Sequence, residues 1–136
     1  MNAVDRCPVV TGVVEHGKGL GHTLGFPTAN IRPDGQTHRE NGVYAAAVWL
    51  EGEPRPRPAK INPGSHPTAP EGKPTIEAHI LDFSGDLYGR RVRFEYRRFL
   101  RPEQRFDSLD ALKAQLTKDL QSTREWCREA GMEWME

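Results

Sequence analysis

The residues with the most chemical potential are Thr28, Asn30 and Glu77. Thr28 and Asn30 close the stretch GHTLGFPTAN, residues 21 to 30. In an extended segment, positions i and i+2 point the same way. A hydroxyl and an amide carbonyl side by side suit a hard cation such as Mg²⁺, which takes oxygen ligands and shares them with substrate phosphates. Taken alone, the pair better suits an Asn/Thr turn whose side chains cap local backbone. Glu77 stands mid-strand in TIEAHILDF, residues 75 to 83, on the face that carries His79. A carboxylate there can act as general base toward a substrate hydroxyl. An ordinary solvent-facing strand position explains it as well. Upstream, HGKGLGHTLG supplies Gly17, Lys18, Gly19, Gly21 and Gly25. Glycines let backbone N–H groups approach phosphate oxygens, and a lysine adds a point charge. The run matches neither the P-loop nor the dinucleotide fingerprint, and a hairpin loop without ligand fits it equally. The five histidines form no helical metal pair, and Cys7 and Cys127 lack paired zinc spacing. No zinc site is expected, and both cysteines are expected to be reduced.

These residues need a frame. The chain has 136 residues, which fits a single domain over 1–136 with one core. Nineteen basic residues balance nineteen acidic ones, so no overall charge draws it to nucleic acid or an anionic membrane. No apolar run resembles a signal peptide or a membrane span, and the expectation is a cytoplasmic monomer. Glycines and prolines punctuate the first hundred residues. Between them lie short runs rich in β-branched and aromatic residues: VVTGVVE (9–15), VYAAAVWLE (43–51), PAKIN (58–62), TIEAHILDF (75–83) and RRVRFEYRRF (90–99). The last two alternate. Ile76, Ala78 and Ile80 oppose Glu77, His79 and Leu81, and Val92, Phe94 and Tyr96 oppose Arg91, Arg93, Glu95 and Arg97. PRPRP, residues 54 to 58, reads as an exposed turn or linker between strands. Many short strands with turns between them predict an antiparallel sandwich or small barrel over about 8–100.

The period then changes. Asp107 or Ser108 can cap a helix over about 108–130, with Gly131 as its stop. Leu109, Leu112, Leu116 and Leu120 make one apolar stripe, with Lys113, Gln115, Lys118 and Asp119 elsewhere. The architecture read from the residues is an all-β body with one C-terminal helix.

Taken in order, GKGLGHTLGFPTANI, NGVYAA, INPGSHPT, IEAHILDFSGDLYG and FLRPEQRFDSLDALKAQLTKDL resemble the riboflavin kinase family from about Val10 to Arg124. The resemblance implies a six-stranded antiparallel Greek-key β-barrel with a C-terminal helix. It implies transfer of the γ-phosphate of ATP to the ribityl 5′-hydroxyl of riboflavin, giving FMN and ADP, with Mg²⁺. On that pattern Thr28 and Asn30 fall on metal and phosphate positions, with Pro27 and Phe26 bracing the strand end. Gly17, Lys18, Gly19 and Gly21 fall in the loop over the ATP phosphates, and Glu77 falls on the catalytic carboxylate. Arg101, Gln104, Phe106 and Asp107 fall in a flap near the flavin ring.

The chain departs from that pattern in two places. His22 and His66 stand where arginines are usual, and Pro63 follows Asn62 where isoleucine is usual. A histidine is only partly charged near neutrality and makes no bidentate fork to phosphate. Two alternatives follow: a kinase of this fold acting on a modified flavin or another small alcohol, and a flavin- or nucleotide-binding module without activity. An RNA-binding barrel is disfavoured, because there is no aromatic platform with basic flanks.

Overall fold

The computed structural model describes residues 9–15, 28–34, 41–63, 76–83 and 85–130. Six strands form a closed barrel: β1 (Val9–Glu15), β2 (Ala29–Pro33), β3 (Val43–Leu50), β4 (Arg57–Asn62), β5 (Ile76–Ile80) and β6 (Arg91–Arg101). The order around the barrel is β1-β2-β5-β4-β3-β6, and every neighbouring pair is antiparallel. Strands β3, β4 and β5 form a meander, and β6 returns to lie beside β3. That is the Greek-key arrangement. Closure leaves no unpaired sheet edge.

Alternation decides which side chains fill the barrel. Val10, Val14, Ile31, Val48, Ile61 and Phe94 turn inward and are buried. Val92, Phe94 and Tyr96 lie inside while Arg91 and Arg93 are exposed, as the period-two pattern of RRVRFEYRRF predicts. At one end the rings of Tyr44, Tyr96 and Phe99 meet edge to face, with Tyr44 centroids 4.9 Å from Tyr96 and 5.2 Å from Phe99. Gly42, at φ 154°, lies against this cluster, and a β-carbon there would come within 2.5 Å of Phe99. Gly12 lets β1 approach β2, since a side chain there would run into the Arg32 carbonyl and Ile31.

Two details differ from the sequence reading. The first is β2, which is not among the runs read as strands. ANIRP has one fully buried side chain, Ile31, and its polar residues hide the pattern. Pairing with both β1 and β5 sets its conformation. The second is the PRPRP segment. Arg57, ahead of the run PAKIN, already belongs to β4 rather than to the turn. Proline is tolerated near a strand start, and the Pro58 carbonyl accepts a 3.0 Å hydrogen bond from the Leu81 N–H.

Helix α1 (Leu109–Glu129) starts at Ser108, whose hydroxyl accepts a hydrogen bond from the Ala111 N–H at 3.0 Å. It lies over the outer sides of β4, β3 and β6. Its buried residues are Asp119, Thr123 and Cys127. Leu109 is 58% exposed, and Leu112, Leu116 and Leu120 are half-buried. At 100° per residue, the mean direction of the buried line lies about 25° from that of the leucine stripe. The reason is polar: the barrel wall under α1 carries Lys60, and Asp119 turns in to meet it. The helix ends at Glu129 with Ala130 as its cap; Gly131 lies outside the described residues. Among the described residues, no helix is long and apolar enough to cross a membrane.

Candidate active site

The register of three strands assembles the site. Glu77 of β5 stands opposite Asn30 of β2 on one side and opposite Asn62 of β4 on the other. Glu15 of β1 faces Asn30 in turn. Directly opposed residues share a face. Their strand neighbours Ile31, Ala78 and Ile61 point into the core, so this row lies on the outer wall. Glu77 is exposed; Asn30 and Asn62 are half-buried. The Asn62 Oδ1 atom is out of contact with solvent and accepts no hydrogen bond among the described residues. Glu15 pairs with Arg32 at 2.9 Å, which occupies that carboxylate.

Thr28 is half-buried and directly precedes β2, two residues from Asn30. Asn30 and Glu77, far apart in sequence, thus stand face to face, with Thr28 beside them along the chain. Gly17, Lys18, Gly19, Gly21, His22 and His66 lie outside the described residues. Thr28 and Asn30 both offer neutral oxygens, the donor type that a hard cation takes. Among the described residues no group of three or more His, Cys, Asp or Glu side chains could hold a metal by itself. The donor set therefore fits an ion that also takes oxygens from a bound phosphate.

The next row along the same strands is sealed by α1. Lys60 of β4 faces His79 of β5, and both are buried. Asp119 of α1 comes down on this row. It accepts two hydrogen bonds from Arg101, Nε at 2.8 Å and Nη2 at 2.7 Å, and one from Gln115 at 3.0 Å. Lys60 Nζ stands 4.0 Å from Asp119 Oδ2. Burial alone would raise the Asp119 carboxyl, but Arg101, Gln115 and Lys60 outweigh it and hold it below its ordinary value. Burial pulls Lys60 below the usual lysine range, against the opposing pull of Asp119. His79 is lowered to about 4, first by burial and then by the positive charges of Lys60 and Arg124. It is neutral at physiological pH.

The segment read as a flap divides. Arg101 is committed to Asp119; its guanidinium also donates to the Pro102 carbonyl at 3.0 Å and lies 6.0 Å from the Phe106 ring centre. Gln104 and Asp107 are exposed and Phe106 is half-buried. Arg101 therefore anchors the start of this segment to the helix.

Sequence reasoning singled out neither Asn62 nor Lys60 as a site residue. The signal was present in PAKIN, where Ala59 and Ile61 alternate with Lys60 and Asn62. Reading it required knowing that β4 lies beside β5.

What the open row can do chemically is limited and specific. An exposed carboxylate flanked by two amides can accept a proton from a hydroxyl held between them. The adjoining Thr28–Asn30 pair can face a phosphate-bound cation. Together these suit transfer of a phosphoryl group to an alcohol.

The comparisons agree with that chemistry. The family model for riboflavin kinase, Flavokinase, matches residues 4–127. The bifunctional riboflavin kinase/FMN adenylyltransferase of Escherichia coli (strain K12) is 44% identical over 117 residues, 86% of this chain. The chain spans 37% of the length of that relative. Among solved structures, riboflavin kinase from Trypanosoma brucei superposes with a TM-score of 0.67 at 26% identity, over 92% of this chain and 79% of that one. A macrolide-efflux protein from Streptococcus pneumoniae gives 0.76 at 33% identity, over 87% of this chain and 38% of that one. With matched residues running from β1 through almost all of α1, the chain belongs to the riboflavin kinase family.

Proposed function

We propose that this chain phosphorylates riboflavin, transferring the γ-phosphate of ATP to the ribityl 5′-hydroxyl and releasing FMN and ADP. The observation that carries the reading is the placement of Glu77: an exposed carboxylate in register with Asn30. Glu77 accepts the proton of the 5′-hydroxyl as its oxygen attacks the γ-phosphorus. A new O–P bond forms, the bond from the γ-phosphorus to the β,γ-bridging oxygen breaks, and ADP leaves with that electron pair. Thr28 and Asn30 would hold Mg²⁺ against the phosphates. The ion neutralises charge on the transferring group when bound. Gly17, Lys18, Gly19 and Gly21 are assigned to the phosphate-covering loop on the family pattern. Gln104, Phe106 and Asp107 are assigned to the flavin side, with Arg101 fixing the segment that carries them.

Positioning supplies most of the effect, since a loose phosphoryl-transfer transition state asks little covalent chemistry of the protein. The test mixes purified protein with riboflavin, ATP and Mg²⁺ and follows FMN by chromatography with fluorescence detection. The expected result is FMN formation that Glu77→Gln removes while riboflavin still binds. Absence of FMN from the unaltered chain overturns the reading.

A further inference from the structure

Resting on the functional reading above, we infer that Asn62 is a further substrate-contacting residue, one that binds a hydroxyl of the polyol chain next to the attacking one. Three observations carry this. Asn62 stands directly opposite Glu77 across β4 and β5, on the same outer face. Its Oδ1 atom is buried and accepts no hydrogen bond among the described residues. Its row neighbour Glu77 is exposed, so the space in front of the row is open to a ligand.

A buried acceptor without a donor costs free energy in a folded protein. Such costs persist where a ligand later supplies the missing partner. The sealed row shows the contrast. There, Asp119 receives three hydrogen bonds from the chain itself. At Asn62 the described residues supply none, and a donor from a bound ligand would complete it.

A hydroxyl is the donor that fits. Neighbouring strands lie about 4.8 Å apart, so adjacent hydroxyls of one polyol can reach Glu77 and Asn62 together. The attacking hydroxyl donates to Glu77, and its neighbour donates to the amide oxygen of Asn62. Asn30, on the other flank of Glu77, is left for the phosphate side. The row then has an order across the strands: phosphate at β2, reacting oxygen at β5, polyol at β4. A cation would gain little at Asn62, which is a neutral amide and shares its strand face with Lys60.

The decisive variant is Asn62→Leu, which keeps the branched shape and heavy-atom count and deletes the polar atoms. Removing an orphaned acceptor is neutral or stabilising, so the melting temperature should hold or rise. Riboflavin should bind about tenfold more weakly, the loss of roughly one net hydrogen bond. The riboflavin KM should rise with the dissociation constant, and the ATP KM should stay unchanged. Lumiflavin, a flavin without the ribityl chain, should bind the variant as it binds the unaltered protein.

Each outcome decides. Unchanged riboflavin binding in the variant overturns the assignment, as does equal weakening of riboflavin and lumiflavin. A variant that melts lower, or fails to fold, shows Asn62 to be structural and overturns it too. If the unaltered chain binds riboflavin but makes no FMN, the kinase reading falls, and the binding comparison still judges Asn62. If the unaltered chain does not bind riboflavin, both fall.

Discussion

Asn30, Glu77 and Asn62 form one row across β2, β5 and β4, and Lys60 and His79 form the next row on the same outer wall. The rows are two residues apart along each strand, about 7 Å. One is open and holds an exposed carboxylate beside an amide oxygen with no donor among the described residues. The other is roofed by α1 and carries a lysine, a neutral histidine and an aspartate whose carboxylate is bonded inside the chain. The difference teaches where this fold spends its polar groups. Under the helix, Arg101, Gln115 and Lys60 exist to make one buried carboxylate tolerable. In the open row Asn62 Oδ1 has no such partner among the described residues, which is the place the proposal gives to a ligand. A substitution in the first row should therefore cost stability, and one in the second should cost function.

The largest separation is expected between Glu77→Gln and Asp119→Ala. Loss of a general base typically lowers turnover by about 10²- to 10⁴-fold. Glu77→Gln should do so in the FMN assay with little change in urea denaturation, since the side chain is exposed. Asp119→Ala should do the reverse. It leaves Lys60 and Arg101 without their shared anion in a buried setting, and breaking such a network costs about 3 kcal/mol or more. Urea denaturation at neutral pH reads that loss. If Glu77→Gln proved as destabilising as Asp119→Ala, the two rows would not differ in kind.

Much of this layout was legible in the chain. The strand runs were visible because their alternation is local: Val92, Phe94 and Tyr96 fall inside from their own spacing. Thr28, Asn30 and Glu77 were visible as residue types, and their order matched a family. Three things were not legible, each because it depends on distant partners. Strand β2 has a single buried anchor, Ile31, and takes its conformation from β1 and β5. The buried face of α1 follows Asp119, Thr123 and Cys127 rather than the leucines, because the wall beneath presents Lys60. Asn62 gained its place only when β4 and β5 were set side by side, which puts residues 30, 77 and 62 in one line. Periodicity reports which face a side chain takes, and only register reports whom it meets.

A smaller effect sharpens the comparison from within the sealed row. The pKa of His79 is about 4 in the folded protein against an ordinary 6.5. As pH falls below 6.5 the unfolded chain takes up a proton first, and the folded chain takes none until about pH 4. The unfolded state therefore binds more protons across this window, and stability declines as pH falls through it. Buried as it is, His79 should account for up to about 3 kcal/mol of that decline. Replacing it by glutamine, which does not titrate, should flatten the stability curve between pH 6.5 and 4. Denaturation at several pH values checks this. An equally steep curve in His79→Gln would assign the acid sensitivity to the carboxylates instead.

The smallest effect lies at the rim of the roof. Arg124 of α1 pairs with Asp82, the residue two beyond β5, through bonds of 2.7 Å and 2.6 Å, and the two side chains are 44% and 54% exposed. Exposed pairs contribute between about 0 and 1 kcal/mol, so Arg124→Met should hardly move stability at neutral pH. Its effect should appear in acid. Arg124 is one of the positive charges that hold His79 down, and Asp82 pulls the other way. Removing the arginine takes away that repulsion and frees the Asp82 charge to favour a protonated imidazole. The folded pKa of His79 then rises toward 6.5, the two states take up the proton closer together, and the loss of stability on acidification shrinks. Arg124→Met should thus be nearly silent at pH 7 and lose less between pH 6.5 and 4 than the unaltered protein does. A variant that lost more in acid would mean that the Arg124–Asp82 pair holds the helix down mechanically, and that the seal over His79 depends on the rim rather than on Asp119.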